Sequence, residues 1–234
     1  MTPGQIVAMG GHALDHEAED SRMFAFVLAL ARAPRPRVCF VATATGDAPA
    51  YLLSFYRECA RHDCLPADLG LFDQRMEDVR AFVLAQDVVY VGGGNTASLL
   101  AVWRAHGLDA ILREALAAGT VLCGVSAGMN CWFAASTTDS FGPTLGPLHD
   151  GLGFLEGSAC PHYDGEEQRR PLYHRLVAEG FPAGYAADEA AALHFRDGAL
   201  VEAVASRPGA RAFHVEAAAG RAVETPLPTR LLHA

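Results

Sequence analysis

The chain has 234 residues, of which 51% are hydrophobic and 19% are charged, so it can bury a large core and lies outside the composition range of disordered proteins. Its formal net charge of −9 argues against nucleic-acid binding, because phosphate backbones attract basic surfaces. All 18 basic residues are arginine; this excludes Schiff-base and pyridoxal-phosphate mechanisms, a phosphate-loop lysine and a Ser-Lys dyad, since a guanidinium keeps its proton at neutral pH.

The N-terminal segment and the cysteines bear on the compartment of the protein. The first twenty residues contain no arginine and reach an acidic residue at Asp15, which is not the pattern of a secretory signal peptide. No uncharged apolar run approaches the roughly 18 residues that span a bilayer. The six cysteines form no CxxC pair and no Cys/His spacing typical of zinc. We therefore expect a cytoplasmic protein with reduced thiols and without membrane attachment, metal or other cofactor.

Short apolar runs alternate with longer amphipathic ones over the first 135 residues. Strands are predicted at Gln5–Met9, Arg37–Ala42, Asp68–Phe72, Asp87–Val91 and Thr120–Val125. Helices are predicted between them at Ser21–Arg32, Pro49–Arg61, Met76–Gln86 and Thr96–Ala118. This alternation indicates βαβ units and a doubly wound, mostly parallel α/β sheet with helices on both faces. Ligands of such sheets bind at the carboxyl ends of the strands.

The composition changes in the last hundred residues. The segment Thr137–His162 is rich in Gly, Pro, Ser and Thr and is predicted to be loop. A helix is predicted at Arg169–Glu179, and short antiparallel strands are predicted to follow at Gly184–Ala187, Ala191–Phe195, Ala199–Val204 and Ala212–Val215. The tail Thr225–Ala234 contains two prolines and is expected to be a loosely held end. No linker or repeat interrupts the chain, so residues 1–234 are predicted to form a single domain.

The strongest motif is Gly124-Val125-Ser126-Ala127-Gly128, which follows the apolar end of a predicted strand and precedes a predicted helix at Met129–Ala135. A G-x-S-x-G sequence at a strand-to-helix junction is typical of a nucleophile elbow, in which a tight turn exposes the serine hydroxyl. The amide of Ala127 would then be placed to stabilise an oxyanion. The structural alternative is a glycine-rich turn whose serine has no chemical role.

A second motif, Gly92-Gly93-Gly94-Asn95, directly follows a predicted strand. Consecutive glycines leave backbone N–H groups open to a ligand, so this turn is a candidate for the other half of an oxyanion hole, with Asn95 holding substrate. A phosphate cradle is a rival function, although the full G-x-G-x-x-G is absent because the sixth position from Gly92 is Ala97. The structural alternative is a helix-entry turn capped by Asn95 or Thr96.

A nucleophilic serine needs a base, and in a chain without lysine that base is expected to be histidine. Among the ten histidines, His162 is favoured because its segment, Ala159–Gly165, shows neither a helical nor a strand face, and catalytic groups are often carried on loops. The carboxylate that would orient the imidazole stays open among Asp139, Asp164 and Glu189, since sequence spacing does not choose between them.

Taken together, these residues resemble the peptidase E family of serine peptidases. The matching segments occur in the family's order and are Val91–Thr96, Gly124–Gly128, Thr137–Asp139, Cys160–Tyr163 and Gly184–Glu189. The resemblance implies a fold similar to that of class I glutamine amidotransferases, which is flavodoxin-like, with serine in place of the cysteine nucleophile. It also implies hydrolysis of short peptides through an acyl-enzyme.

The resemblance assigns site residues by position. It implies Ser126 as the nucleophile, His162 as the base and Glu189 as the carboxylate partner of the imidazole, with Asp139 at the family's other proposed acid. The residues that it assigns to the oxyanion hole or to substrate are Gly93, Gly94, Asn95, Ala127, Gln168 and Arg169. A small peptide is the implied substrate, and a homodimer is the implied assembly.

One segment departs from the family pattern. Members that favour an N-terminal aspartate carry an arginine in a Gly-Glu-Thr-Arg segment after the histidine. Here the segment Gly165–Arg170 lies closer to His162, and Gln168 falls where that arginine would be. Arg169 or Arg170 is offered in its place, but each helical residue turns the side chain by about 100°. Together with two neighbouring glutamates, this departure argues against a preference for N-terminal aspartate.

Two other functions fit parts of the same pattern. An esterase of the α/β-hydrolase type shares the elbow, but its histidine follows the acid late in the chain, so His214 would have to serve. A non-enzymatic protein would use Gly92–Asn95 to hold a metabolite. A cysteine-dependent amidotransferase is disfavoured, because Cys123 precedes the turn that carries Ser126.

Overall fold

The computed structural model describes residues 4–11, 14, 18–73 and 76–233, which form a mixed α/β fold with two β-sheets. The strands in chain order are β1 (Gln5–Met9), β2 (Arg37–Val41), β3 (Leu65–Asp68), β4 (Val88–Val91), β5 (Val121–Val125), β6 (Phe133–Thr138), β7 (Gly146–Leu148), β8 (Leu155–Cys160), β9 (Gly184–Ala187), β10 (Ala191–Arg196), β11 (Ala199–Ala205), β12 (Ala212–Ala218), β13 (Arg221–Pro226) and β14 (Thr229–Leu231). The α-helices are α1 (Ala18–Leu30), α2 (Pro49–Cys59), α3 (Val79–Leu84), α4 (Thr96–His106), α5 (Leu108–Ala118), α6 (Ala127–Asn130) and α7 (Arg169–Ala178). The predicted α/β class is confirmed.

The larger sheet has eight strands in the order β14-β11-β10-β1-β5-β4-β2-β3. Strands β1, β5, β4, β2 and β3 run parallel to one another, whereas β10 is antiparallel to β1 and to β11. Alternate residues of these strands enter two different cores. Val7 and Tyr90 belong to the core that includes α1 and α2, and Ala8 and Val91 belong to the core that includes α4 and α5. Both faces of β1, β2, β4 and β5 are covered, which explains their apolar sequences, whereas β3 at the edge of the sheet is partly exposed.

The smaller sheet has six strands in the order β13-β12-β9-β8-β6-β7. Strand β8 is parallel to β6 and to β9, while β12 is antiparallel to β9 and to β13. The strand predicted at Gly184–Ala187 is β9. It is antiparallel to β12, as expected, but parallel to β8, so the prediction of purely antiparallel pairing for this strand is wrong. Tyr173 and Val177 of α7 form a third core with Ala186 of β9 and Val215 of β12, so this helix packs on the smaller sheet.

Three element predictions in the first half of the chain are corrected. The strand predicted at Asp68–Phe72 is β3, which lies earlier because its register with β2 begins at Leu65. The single helix predicted at Thr96–Ala118 is two helices, because Gly107 adopts a φ of +67° and ends α4 before α5 begins. The helix predicted at Met76–Gln86 is shorter and consists of α3 alone. It begins at Val79 because the carboxylate of the preceding residue, Asp78, accepts the backbone N–H of Ala81 and caps the first turn.

The chain beyond the serine elbow contains more regular structure than the sequence predicts. The helix predicted at Met129–Ala135 is the short α6 followed by β6, since a short apolar run reads equally as helix or buried strand. The predicted loop Thr137–His162 contains the end of β6 and all of β7 and β8. The predicted loose tail Thr225–Ala234 completes β13 and forms β14, and Leu232 is buried. Residue 234 itself lies outside the described residues.

The two sheets meet at one edge of the larger sheet. Strands β1, β4 and β5 run parallel, so the residues that follow them (Gly10–Gly11, Gly92–Asn95 and Ser126) emerge at the same edge. His162, after β8, donates its backbone N–H to the carbonyl of Gly10 at 3.1 Å. Glu189, between β9 and β10, forms a bridge with Gly11. The fold therefore brings residues from both sheets to the carboxyl ends of the parallel strands.

Candidate active site

Ser126 directly follows β5 and has an unusual backbone conformation. Its φ is +57° and its ψ is −108°, a region that costs a residue with a side chain about 1–3 kcal/mol. The conformation is held by hydrogen bonds: the amide of Ser126 donates to the Met9 carbonyl at 3.0 Å, and its carbonyl accepts from the amides of Met129 and Asn130 at 2.9 Å each. These contacts fix the serine at a sharp turn between β5 and α6, which is the geometry of a nucleophile elbow.

His162 lies two residues beyond β8, also with a positive φ, of 52°. Its Nε2 atom is 2.8 Å from Oγ of Ser126. The carbonyl of Gly10, which directly follows β1, accepts the backbone N–H of His162. This hydrogen bond fixes the position of the His162 backbone and therefore of its imidazole. A histidine from the smaller sheet thus contacts a serine from the larger one.

Glu189 completes a row of three polar side chains. Its Oε1 atom lies 2.5 Å from Nδ1 of His162. Two glycines make room for this carboxylate: a Cβ atom at Gly11 would collide with both Glu189 and His162, and one at Gly165 would lie 2.7 Å from Oε1 of Glu189. A side chain at either position would displace the Glu189 carboxylate from where it lies, so glycine at Gly11 and Gly165 leaves room for its contact with His162.

The other two candidate acids have different surroundings. Asp164 accepts the backbone N–H of Glu189 at 2.7 Å through Oδ1, and its Oδ2 lies 3.4 Å from Nη2 of Arg207. Asp139 lines the cavity that contains Ser126 and His162. Of the three carboxylates that the sequence left open, Glu189 is the one with a hydrogen bond to the imidazole among the described residues.

A cavity of about 310 Å³ opens beside the serine. Its lining residues are Gly94, Asn95, Ser126, Asp139, His162, Glu166 and Arg169. Gly94 has a φ of +132°, and a Cβ atom there would collide with the carbonyl of Ala44, so this turn requires glycine. The side chain of Asn95 accepts the Ser98 amide at 2.8 Å and donates to the Ser140 carbonyl at 3.0 Å. Asn95 therefore caps α4 and anchors the loop after β6.

The remaining residues that the resemblance assigned to substrate or oxyanion are placed differently from one another. The amide of Gly93 donates to the hydroxyl of Tyr51 at 3.0 Å. Ala127 is buried in the first turn of α6. Gln168 is exposed at the N-terminus of α7 and is not among the residues that line the cavity. Arg169 is a buried residue of the cavity wall, and its side chain forms an ion pair with Glu166.

Two features of the site were missed in the sequence. The first is Glu166, which lines the cavity. It is four residues after His162 and three before Arg169, a spacing that places side chains on the same side of a helical turn, and this spacing could have marked it as a neighbour of both. Gly10–Gly11 follows an apolar strand, just as Gly92–Gly94 does, and the same reasoning applied there would have marked it. Gly10 and Gly11 contact His162, and Glu166 lines the cavity that contains Ser126.

The alternative nucleophile and base have surroundings that do not suit those roles. Cys123 lies within β5 and is fully buried, and burial raises the pKa of its thiol, which opposes thiolate formation. His214 lies on β12, where its ring packs edge-on against Tyr185 with centroids 5.2 Å apart. Neither side chain belongs to the cavity beside Ser126.

Neither a metal site nor a membrane-spanning helix is found in the part of the chain that the structure describes. There, no three or more His, Cys, Asp or Glu side chains are grouped so as to hold a metal ion. No helix in the same part of the chain has the length and apolar character needed to cross a bilayer.

A hydroxyl, an imidazole and a carboxylate in hydrogen-bonded sequence form the arrangement that serine hydrolases use. A sequence profile described as peptidase family S51 matches residues 6–203. The chain therefore belongs to peptidase family S51, the family of peptidase E, and is a serine-type peptidase. The family predicted from the motifs is confirmed.

Individual relatives agree with this assignment. The chain is 47% identical over 229 residues to a Bacillus subtilis (strain 168) protein described as "Uncharacterized peptidase YgaJ", a match that covers 97% of this chain and 99% of that one. It is 31% identical over 144 residues to peptidase E of Haemophilus influenzae, covering 56% of this chain and 66% of the relative. The crystal structure of a peptidase from an acI-B1 Actinobacterium shares the fold, with a TM-score of 0.69, 14% identity and coverage of 97% of this chain and 95% of that one.

Proposed function

We propose that the protein hydrolyses short peptides by acyl transfer, with Ser126 as nucleophile, His162 as general base and Glu189 as the carboxylate that orients the imidazole. The observation that carries the proposal is the continuous row of contacts from Oγ of Ser126 to Nε2 of His162 at 2.8 Å and from Nδ1 of His162 to Glu189 at 2.5 Å. A carboxylate on Nδ1 holds the proton there and leaves Nε2 free to accept the serine proton.

In the first half of the reaction, Oγ of Ser126 attacks the peptide carbonyl while Nε2 of His162 takes the hydroxyl proton. The tetrahedral intermediate collapses when the imidazolium gives that proton to the leaving amine, and the acyl group stays on the serine. In the second half, His162 removes a proton from water, which attacks the acyl-enzyme and releases the acid. Glu189 stabilises the imidazolium in both halves and does not itself change protonation.

The oxyanion would be held by backbone N–H groups of Gly94, in the turn after β4, and of Ala127, in the first turn of α6 after β5. Gly94 borders the cavity directly, whereas the amide of Gly93 is already bound to Tyr51 and is the less suitable donor. One such donor contributes about 10²–10³ in rate.

The size of the cavity supports a short substrate. At about 310 Å³ it lies at the lower end of ligand pockets, enough for one amino-acid side chain and its flanking backbone. We therefore assign the reaction to dipeptides or to the N-terminal residue of short peptides.

The test is a comparison of wild type, Ser126→Ala and Ser98→Ala on dipeptides and aminoacyl p-nitroanilides. Ser98 is an exposed serine on α4 and serves as the matched control. We expect Ser126→Ala to lose at least about 10³-fold in kcat at unchanged thermal stability, and Ser98→Ala to keep wild-type kcat. A fluorophosphonate probe should label wild type and Ser98→Ala but not Ser126→Ala. Hydrolysis by Ser126→Ala at the wild-type rate would refute the proposal.

A further inference from the structure

The cavity beside Ser126 contains an arginine whose charge is already matched. Arg169 is only 4% exposed and lines the cavity together with Glu166. Its Nε atom donates to Oε2 of Glu166 at 2.8 Å and its Nη2 atom to Oε1 at 3.2 Å. A third donor, Nη1, reaches the carbonyl of Thr137 at 3.3 Å. One side of the guanidinium is therefore occupied by a carboxylate of the same chain.

This ion pair is local and is held in place by the backbone. The amide of Arg169 donates to the Glu166 carbonyl at 2.9 Å, and the amide of Glu166 donates to the His162 carbonyl at 3.2 Å. The two residues thus lie one turn apart in the segment that follows His162. A carboxylate arriving from solution would have to displace a partner that is tethered three residues away and bound through two parallel hydrogen bonds.

The remaining charges of the cavity also oppose an anion. Asp139 lines the same space as Glu166, so the lining contains two carboxylates and one guanidinium. The side chain of Glu166 is 44% exposed while that of Arg169 is 4% exposed, which means that an incoming group meets the carboxylate more readily than the cation. Like charges brought together in such a space are strongly disfavoured.

The geometry points to Glu166 as the specificity-determining residue of the site: by occupying Arg169 it directs the cavity away from peptides with aspartate or glutamate at the scissile bond and toward their uncharged amide counterparts. This inference rests on the proposed peptidase function and adds its substrate class. Arg169 then acts as a fixed part of the cavity wall, and Glu166 as the group that decides which side chains enter.

The kinetic test compares isosteric substrates, Asn against Asp and Gln against Glu, as aminoacyl p-nitroanilides. We expect wild type to favour the amide by about 100-fold in kcat/KM. Glu166→Gln removes the charge and keeps the shape, and Glu166→Ala also removes the hydrogen bonds; each should lower the preference at least about tenfold. Glu167→Gln makes the same charge change at an exposed neighbour outside the cavity lining and should keep the wild-type ratio.

A binding measurement separates this inference from the proposed function. In the Ser126→Ala background, thermal shifts are titrated with L-aspartate and L-asparagine, which requires no turnover. We expect added Glu166→Ala to increase the affinity for aspartate relative to asparagine at least about tenfold, because the carboxylate replaces the missing partner of Arg169. An unchanged ratio, or equal hydrolysis of Asp and Asn substrates by wild type, would overturn the role of Glu166. Absence of peptide hydrolysis by the wild-type protein, with the aspartate shift intact, would instead count against the catalytic proposal.

Discussion

In the larger sheet, Ser126 follows a buried strand directly and lies within a contiguous motif, whereas in the smaller sheet His162 follows a strand that the sequence did not reveal. Glu189 belongs to the connection from β9 to β10, which passes from one sheet to the other. The position of Ser126 is thus defined by local backbone geometry, whereas the positions of His162 and Glu189 are defined by how the two sheets meet. The sequence therefore identifies Ser126 from a contiguous motif, but it offers His162 and Glu189 only as candidates among several.

The largest effect that this comparison predicts is at His162. His162→Ala should lower kcat at least about 10³-fold, because no other base contacts the Ser126 hydroxyl among the described residues. The matched control is His214→Ala on β12, which should change kcat less than about twofold. Steady-state kinetics on a dipeptide measures both. Equal losses in the two variants would show that the smaller sheet does not supply the base through β8.

A smaller effect, on stability, is predicted where the C-terminal hairpin meets the smaller sheet's helix. Glu224 on β13 accepts hydrogen bonds from Tyr163 at 2.5 Å and from Nε of Arg170 at 2.9 Å, and lies 3.0 Å from Nε2 of His174. Burial acts to raise the pKa of Glu224, but these hydrogen bonds hold that pKa below its ordinary value. Glu224→Gln should therefore lower the free energy of unfolding by about 2–4 kcal/mol at neutral pH.

Urea unfolding measures this loss, with Glu216→Gln, an exposed residue on β12, as the control for the charge change. Because a lowered carboxyl pKa stabilises the ionised folded protein, the difference between Glu224→Gln and wild type should shrink as the pH falls through the pKa of Glu224. If the difference in free energy of unfolding between Glu224→Gln and wild type stays constant on acidification, the ionised carboxylate of Glu224 does not stabilise the contact between the hairpin and α7.

The smallest effect is predicted at Asp188, next to Glu189. Burial, reinforced by repulsion from Asp164, raises the pKa of Asp188 from its ordinary 3.8 to about 6. The folded protein then binds this proton more tightly than the unfolded chain, so ionisation destabilises the fold as the pH rises from about 4 to about 6. Asp188→Asn keeps an acceptor for the Arg211 amide and should gain about 1–3 kcal/mol above pH 6 or so.

Thermal unfolding at about pH 5 and about pH 8 tests this prediction, and the gain of Asp188→Asn should be larger at the higher pH. The exposed Asp63, which pairs with Arg35, provides the control variant Asp63→Asn, which makes the same change of side chain at the surface. The same gain for Asp188→Asn at both values would contradict the raised pKa.

The sequence predicted the parallel strands because burial on both faces leaves a clear apolar run, and it predicted the serine turn because its glycines and its place after β5 are local features. It did not predict β6–β8, since their polar and glycine-rich residues are stabilised by pairing with distant strands. It left three acids open, because the contact of Glu189 with His162 depends on the path of β9 into β10. Helix α6 was misplaced for the related reason that short apolar runs carry no periodicity.

The position of β1 has a consequence for how the molecule assembles. This strand lies between β5 and β10 at the centre of the larger sheet, and the contact beside it joins Gly4 to Asp197, 193 positions apart. Closing such a long loop is slow compared with forming local structure. Gly10 and Gly11, which follow β1, contact the backbone of His162 and Glu189, so the imidazole and the carboxylate depend for their position on a strand from the opposite end of the chain.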